Sequence, residues 1–149
     1  MASWGEFARA APDLATWGQK RFNRSHVAYL ATLRADGAPG IHPVTPVICQ
    51  DNLFLFVDPD SPASANLRHN DRCALHSLID NPSGIGGEFR LQGRAKPISD
   101  GDTRTRASAA ACYSPPEGYL LFQLDVEAAY STDYEEGQPT KHCWELAAV

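Results

Sequence analysis

The sequence predicts a mainly β domain, a small closed or partly closed β-barrel with peripheral helices. Three observations predict it. Seven short runs rich in β-branched and aromatic residues are separated by Gly, Pro, Asn and Asp turn signals. Helical patterns are few and do not alternate with the strands as a parallel α/β sheet requires. The chain of 149 residues, 43% hydrophobic, is long enough to bury one core, so 1–149 reads as a single domain.

The elements follow in order. Ser3 and Glu6 have the spacing of a capping box, which starts a first helix. Pro12 cannot lie inside that helix but can begin a second, with Leu14, Trp17 and Phe22 as its apolar face. Residues 1–22 thus form a helical segment packed on the barrel. Val27 to Leu33 is the first strand, and Ala35-Asp36-Gly37 the turn after it. Gly40 to Cys49 is a strand carrying Pro43 and Pro46. Because proline removes ladder donors, this strand must lie at an edge, bulge, or break where a ligand approaches.

Asp51-Asn52 turns the chain into the strand Leu53 to Val57, which Asp58-Pro59-Asp60-Ser61-Pro62 ends. Ala63 to Asn70 is a short helix with Ser61 or its neighbour as cap, and Arg72 to Leu78 the next strand. Asp80 to Gly87 is a glycine-rich loop. Phe89, Leu91, Gly93 and Ala95 alternate in a longer strand, where Gly93 marks a bulge or close packing. Ser99, Asp100 and Asp102 start an alanine-rich helix over Thr103 to Cys112. Tyr119 to Val126 and His142 to Leu146 are the closing strands, joined by a polar link from Asp133 to Thr140.

Composition narrows the function. The net charge of -5 argues against a basic nucleic-acid surface or an electrostatic membrane anchor. No apolar run approaches the roughly 20 residues that span a bilayer, and the first residues lack a signal peptide's charged start and apolar centre. A cytoplasmic location is the expectation. Cys49, Cys73, Cys112 and Cys143 are too scattered for a zinc site or a disulfide framework, and Cys73 reads as a small core hydrophobe. His26, His42, His69, His76 and His142 form no evident ligand set, so no metal is expected. The sequence has no GxSxG, HExxH or P-loop, and the Gly84–Gly87 cluster lacks the strand-turn-helix setting of a dinucleotide fingerprint.

What remains is positional. A phosphate-bearing aromatic cofactor needs backbone donors and acceptors along its ring edge, and hydroxyls, cations or free amides at a helix start for its phosphate. His42, Pro43, Val44 and Thr45 offer the first. Ser61 and Ser64, with Arg68 and Arg72 close behind, offer the second. Singly, Ser61 reads as a helix cap, the arginines as solvated groups and His42 as a strand residue. Their order and combination raise the ligand reading.

The runs YLATLRADGAPGIHPVTPV, LFLFVDPDSP, ANLRHNDRCALHS, GEFRLQGRAKPI and YLLFQLDVEAAYSTDYEEGQPTKHCWEL resemble the pyridoxamine 5′-phosphate oxidase-like split β-barrels, which bind FMN or the deazaflavin F420. The resemblance implies an FMN-binding-protein-like split barrel, homodimeric, with the cofactor in a groove between subunits. It implies an FMN-dependent oxidoreductase acting on a small molecule, with an F420-dependent reductase or a non-catalytic flavin- or ligand-binding protein as alternatives. Carried onto this chain, it sets His42 to Thr45 along the ring, and Val57, Asp58 and Ser61 near the ribityl phosphate. Arg68 falls in the following helix. His76 and Trp144 fall where later strands approach the groove, the latter often given by the partner chain. Relatives often read Ser-Pro-Lys where this chain has Ser61-Pro62-Ala63, and that lysine pairs with the phosphate; Arg68 or Arg72 is the candidate substitute. F420, with its longer acidic tail, would call on Arg24, Arg34, Arg68 and Arg72.

Overall fold

The computed structural model describes residues 1–134 and 138–147, so part of the expected link from Asp133 to Thr140 lies outside the described residues. Helix α1 spans Trp4–Ala10 and opens on the expected capping box. The Ser3 hydroxyl accepts from the Glu6 amide at 3.1 Å, and the Glu6 carboxylate accepts from the Ser3 amide at 3.0 Å. Helix α2, Pro12–Ser25, begins at its proline and buries Leu14 and Phe22. Trp17, expected on the same face, is half-exposed at its margin against His142.

These helices cover the barrel with aromatic rings. Trp4, Phe7, Phe22 and Phe89 are all nearly inaccessible, with Trp4–Phe7, Trp4–Phe89 and Phe22–Phe89 meeting edge to face. A Cβ at Gly18 would sit 2.6 Å from the Phe89 ring, so the missing side chain lets α2 lie this close. Each buried Phe stabilises the fold by about 1.5–3 kcal/mol relative to an exposed one.

Eight antiparallel strands form the barrel wall: β1 Ala28–Leu33, β2 Pro39–Val44, β3 Val47–Cys49, β4 Asn52–Val57, β5 Arg72–Ser77, β6 Glu88–Ile98, β7 Leu120–Asp133 and β8 Thr140–Glu145. Their order is β2-β1-β5-β6-β7-β4-β3, with β8 on β7 beyond β4. The two end strands, β2 and β3, are joined by only Thr45 and Pro46. Val44 and Val47 can therefore be no more than roughly 11 Å apart. The sheet must curl until its ends meet, leaving a seam without a ladder between β2 and β3. That is a split barrel.

The run from Gly40 to Cys49, expected as a single strand, supplies two of the eight. It breaks at Thr45-Pro46, and its halves belong to opposite ends of the sheet. The expected strand ending at Val126 also runs on to Asp133. In this extension Ala128, Ala129 and Ser131 stay buried, because β6 and β8 pair with it from both sides. In β6 the register slips between Gln92 and Gly93, and a Cβ at Gly93 would lie 1.8 Å from the Asp125 carbonyl oxygen. Bulge and close packing coincide there.

Helix α3, Pro62–His69, crosses the barrel against β1 and β2, and helix α4, Gly101–Ala110, is capped by Asp100. Cys73 is buried as expected, and burial, aided by Asp71 and Glu127, pushes its thiol up to about 12. No helix among the described residues is long and apolar enough to cross a membrane.

Candidate functional site

The site begins with the free edge of β2. The Arg34 amide donates to the Ala38 carbonyl at 2.8 Å, and the Gly37 amide to the Arg34 carbonyl at 2.9 Å. Gly37, at φ +86°, takes the left-handed position that this three-residue hairpin loop needs. Antiparallel alternation then follows from Arg34–Ala38. Gly40, His42 and Val44 point their backbone groups at β1, while Pro39, Ile41 and Pro43 point theirs away. The prolines therefore remove no ladder bond, which the edge position expected from the sequence allows. They strip donors from the free edge instead. Along Pro39–Pro43 that edge keeps one amide, at Ile41, beside three carbonyls. An edge so thinned of donors resists strand addition.

On the inward side of the same strand lies a polar cluster. His42 Nε2 is 2.8 Å from the Thr32 hydroxyl, and the Asn66 amide donates to that hydroxyl at 2.9 Å. Thr32 and Asn66 are buried and His42 half-buried. Burial holds the His42 imidazole below its ordinary value. A Cβ at Gly40 would stand 3.0–3.1 Å from the Asn66 amide nitrogen, the Thr32 hydroxyl and His42 Nε2, so the glycine leaves room for the three groups to meet. Val44 and Thr45 continue from here, half-buried, to the seam.

The start of α3 supplies the second part. Val57 ends β4 in the core, and Asp58 turns the chain by accepting from the Asp60 amide at 2.9 Å. Ser61 donates its hydroxyl to the Asp58 carbonyl at 2.6 Å and accepts from the Ser64 amide at 3.3 Å. Its hydroxyl is thus used for the cap. Ser64 is fully buried, and its hydroxyl has no hydrogen-bond partner among the described residues. The Arg68 guanidinium folds back onto the loop and donates to the Pro59 carbonyl at 3.0 Å. Ala63 packs into the core with 4% exposure.

Of the residues picked from sequence, the fold brings His42, Val44, Thr45, Val57, Asp58, Ser61, Ser64 and Arg68 onto β2, its seam and the β4–α3 connection. Pro43 and His76 lie on the outward face instead, one on each side of Tyr29 in the cross-strand row Pro43–Tyr29–His76–Arg90. His76 Nδ1 is 2.6 Å from the Ser77 carbonyl oxygen and its Nε2 3.4 Å from a Glu88 carboxylate oxygen. Trp144 lies away from this group within the chain. It pairs with Ala129 across β7, four strands from β2, and its ring packs 5.2 Å from Phe7. Arg72 is exposed on β5 opposite Arg94. No group of three or more His, Cys, Asp and Glu among the described residues is placed to hold a metal ion.

Thr32 and Asn66 were missed by sequence reasoning, although each carried a signal. Thr32 takes an inward position in the alternation Ala28-Leu30-Thr32, and Asn66 falls on the face of α3 that carries Ala63 and Leu67. A polar residue at a core position needs a partner, and here the two are each other's.

The pyridoxamine 5′-phosphate oxidase family matches residues 18–133. No curated protein matches the sequence. Among solved structures, a heme-binding protein from Mycobacterium smegmatis superimposes with a TM-score of 0.65 at 19% identity, covering 85% of this chain and 57% of that one. This chain therefore spans little more than half of that protein's length. A Clostridium acetobutylicum protein of the pyridoxinephosphate oxidase family, related to general stress protein 26 of B. subtilis, gives a TM-score of 0.63 at 13% identity over 83% of this chain and 89% of that one. A heme storage protein from Vibrio cholerae gives 0.56 at 15% identity over 91% and 93%. At these identities the likeness shows the shared fold, while the match over residues 18–133 shows the lineage. The chain belongs to the pyridoxamine 5′-phosphate oxidase family.

Proposed function

We propose that this protein is an FMN-binding oxidoreductase acting on a small organic molecule, and that it works as a homodimer with the cofactor in a groove between protomers beside β2 and α3. The observation that carries the reading is the nearness of a donor-thinned strand edge, a buried polar cluster and the β4–α3 loop, onto which Arg68 from the last turn of α3 folds back. Bound FMN would supply the hydride or electron transfer. The chain's own residues bind and orient. The Ile41 amide and its neighbouring carbonyls fit a ring edge, and Val44 and Thr45 give the surface beside it. At the loop Val57–Ser61, Arg68 takes the place of the lysine that Ala63 lacks. Its guanidinium already stands on the loop, and its planar fork suits a phosphate. The unpartnered Ser64 hydroxyl at the same turn fits an acceptor-rich group.

The homodimer draws on the outward face of β1, β2 and β5. Tyr29 and Ile41 are 44% and 71% exposed there, flanked by Pro39, Pro43, Ala31 and Ala74. A second protomer on this face would enclose the β2 edge and place His76 near the groove. F420 is the weaker candidate. Of the arginines its tail would need, Arg24 pairs with Asp80 and Arg34 with Asp36. A non-catalytic binding protein, for flavin or another flat cofactor such as heme, is the second reading. It is favoured by Ala63 in the core and by the heme-binding proteins that share the fold.

Fluorescence titration of FMN with the purified protein tests the reading. Saturable quenching at about micromolar or tighter, worth roughly 8 kcal/mol, is expected. Arg68→Ala should weaken FMN more than riboflavin, which lacks the phosphate. Unquenched FMN would overturn the proposal, and bound flavin that is reducible but never turns over a substrate would favour the binding protein.

A further inference from the structure

The polar cluster under β2 has a directional consequence. Thr32 has one proton to give and two lone pairs to receive with. The Asn66 amide fills one lone pair, and His42 Nε2, at 2.8 Å, is the remaining acceptor for the buried hydroxyl proton. If Nε2 carried a proton instead, the Thr32 hydroxyl would lose that acceptor in a position 3% exposed, and leaving it unpaired costs free energy. With the Asn66 amide donating, Nε2 accepts, and the ring's proton belongs on Nδ1. His42 Nδ1 makes no hydrogen bond among the described residues, and His42 is half-buried on β2, an end strand of the sheet.

We propose that Asn66 and Thr32 are positioning residues which lock His42 as its Nδ1–H tautomer and present that N–H as a specificity-determining donor to a carbonyl or imine acceptor of a heteroaromatic ring bound at β2. The ligand clause rests on the flavin reading given above; the relay does not. The Ile41 amide and His42 Nδ1–H then supply two donors beside carbonyl acceptors, the mixed pattern that a ring bearing both carbonyls and an N–H can satisfy. Gly40 belongs to the device, since any side chain there would press on all three groups.

The test uses the protein with no cofactor added, then with FMN. Long-range ¹H–¹⁵N spectra of the imidazoles at pH 8 should show neutral His42 protonated on Nδ1. Thr32→Ser, which keeps the hydroxyl, should preserve that tautomer, and Thr32→Val should convert it to Nε2–H or a mixture. Wild-type His42 protonated on Nε2, or a tautomer indifferent to Thr32→Val, overturns the relay even if other variants fail to fold. In the FMN titration, Thr32→Val should bind about tenfold more weakly, with Thr32→Ser near wild type. Equal binding by folded Thr32→Val overturns the donor role. Wild-type protein that binds no FMN overturns the flavin reading and the ligand clause with it, while the tautomer still decides the relay.

Discussion

Where α1 and α2 meet the barrel, Trp4, Phe7, Phe22 and Phe89 fill the interior with rings; where α3 crosses it, Thr32, Asn66, Ser64 and the edge of His42 fill it instead. The first cover contributes stability mainly through buried apolar area and edge-to-face rings, with the Arg21 Nε on α2 a buried polar atom without a partner among the described residues. The second spends buried positions on polar groups, one of them unpartnered, and borders a strand edge left open. A barrel that needed only to fold could fill both regions with aliphatic side chains. The contrast supports the proposal that the aromatic cover serves stability and the polar one a ligand.

Substitutions should separate the two. The largest effect is expected from Phe89→Ala, which removes a fully buried ring touching Trp4 and Phe22. It should cost about 3–5 kcal/mol, measured by urea denaturation, and leave the FMN affinity of the folded fraction unchanged. Thr32→Val should cost less, about 1–3 kcal/mol, by leaving the buried Asn66 amide without its acceptor, yet should weaken FMN binding. That reversal of order between stability and binding is what the comparison predicts.

Ser64→Ala should raise stability by up to about 1 kcal/mol, since it removes a buried hydroxyl with no partner. If that hydroxyl serves a ligand, FMN affinity should fall in the same variant. A Ser64→Ala protein less stable than wild type would mean that the group is not a cost borne by the site.

The smallest effect is a pH dependence at the polar cover. Burial lowers the His42 value in the folded state, so the unfolded chain binds the proton more readily. The stability that neutral His42 contributes is therefore complete above the unfolded value, about 6.5, and is lost as pH falls through the lower folded value. Denaturation midpoints should drop on acidification from pH 7 to pH 5, and the drop should be smaller in His42→Gln.

The aromatic cover and most strands were legible in the sequence because their signals are local. The Ser3–Glu6 spacing, Pro12, the Ala35-Asp36-Gly37 turn, Ser61 and Gly93 each act within a few residues of themselves. The seam at Thr45-Pro46 was half legible: two prolines announced an interruption, but only the strand order shows that the halves of one run lie at opposite ends of a curled sheet. Trp144 was placed by resemblance at a groove, whereas its contact with Phe7 depends on α1 reaching β8, a packing no local pattern encodes. The His42–Thr32–Asn66 cluster joins β2, β1 and α3 through side chains 10 and 34 residues apart, so its parts were visible singly and their meeting was not.

The most direct test of the central claim is a map of where FMN binds, taken from amide shifts in ¹H–¹⁵N spectra as FMN is added to ¹⁵N-labelled protein. The largest shifts are expected at Ile41, His42, Thr45, Ser61 and Ser64, with the amides around Phe7, Phe22 and Phe89 nearly still. Shifts concentrated instead in the cleft of about 600 Å³ between α2 and β8, lined by Trp17, Lys20 and His142, would contradict the assignment of the ligand to the polar cover.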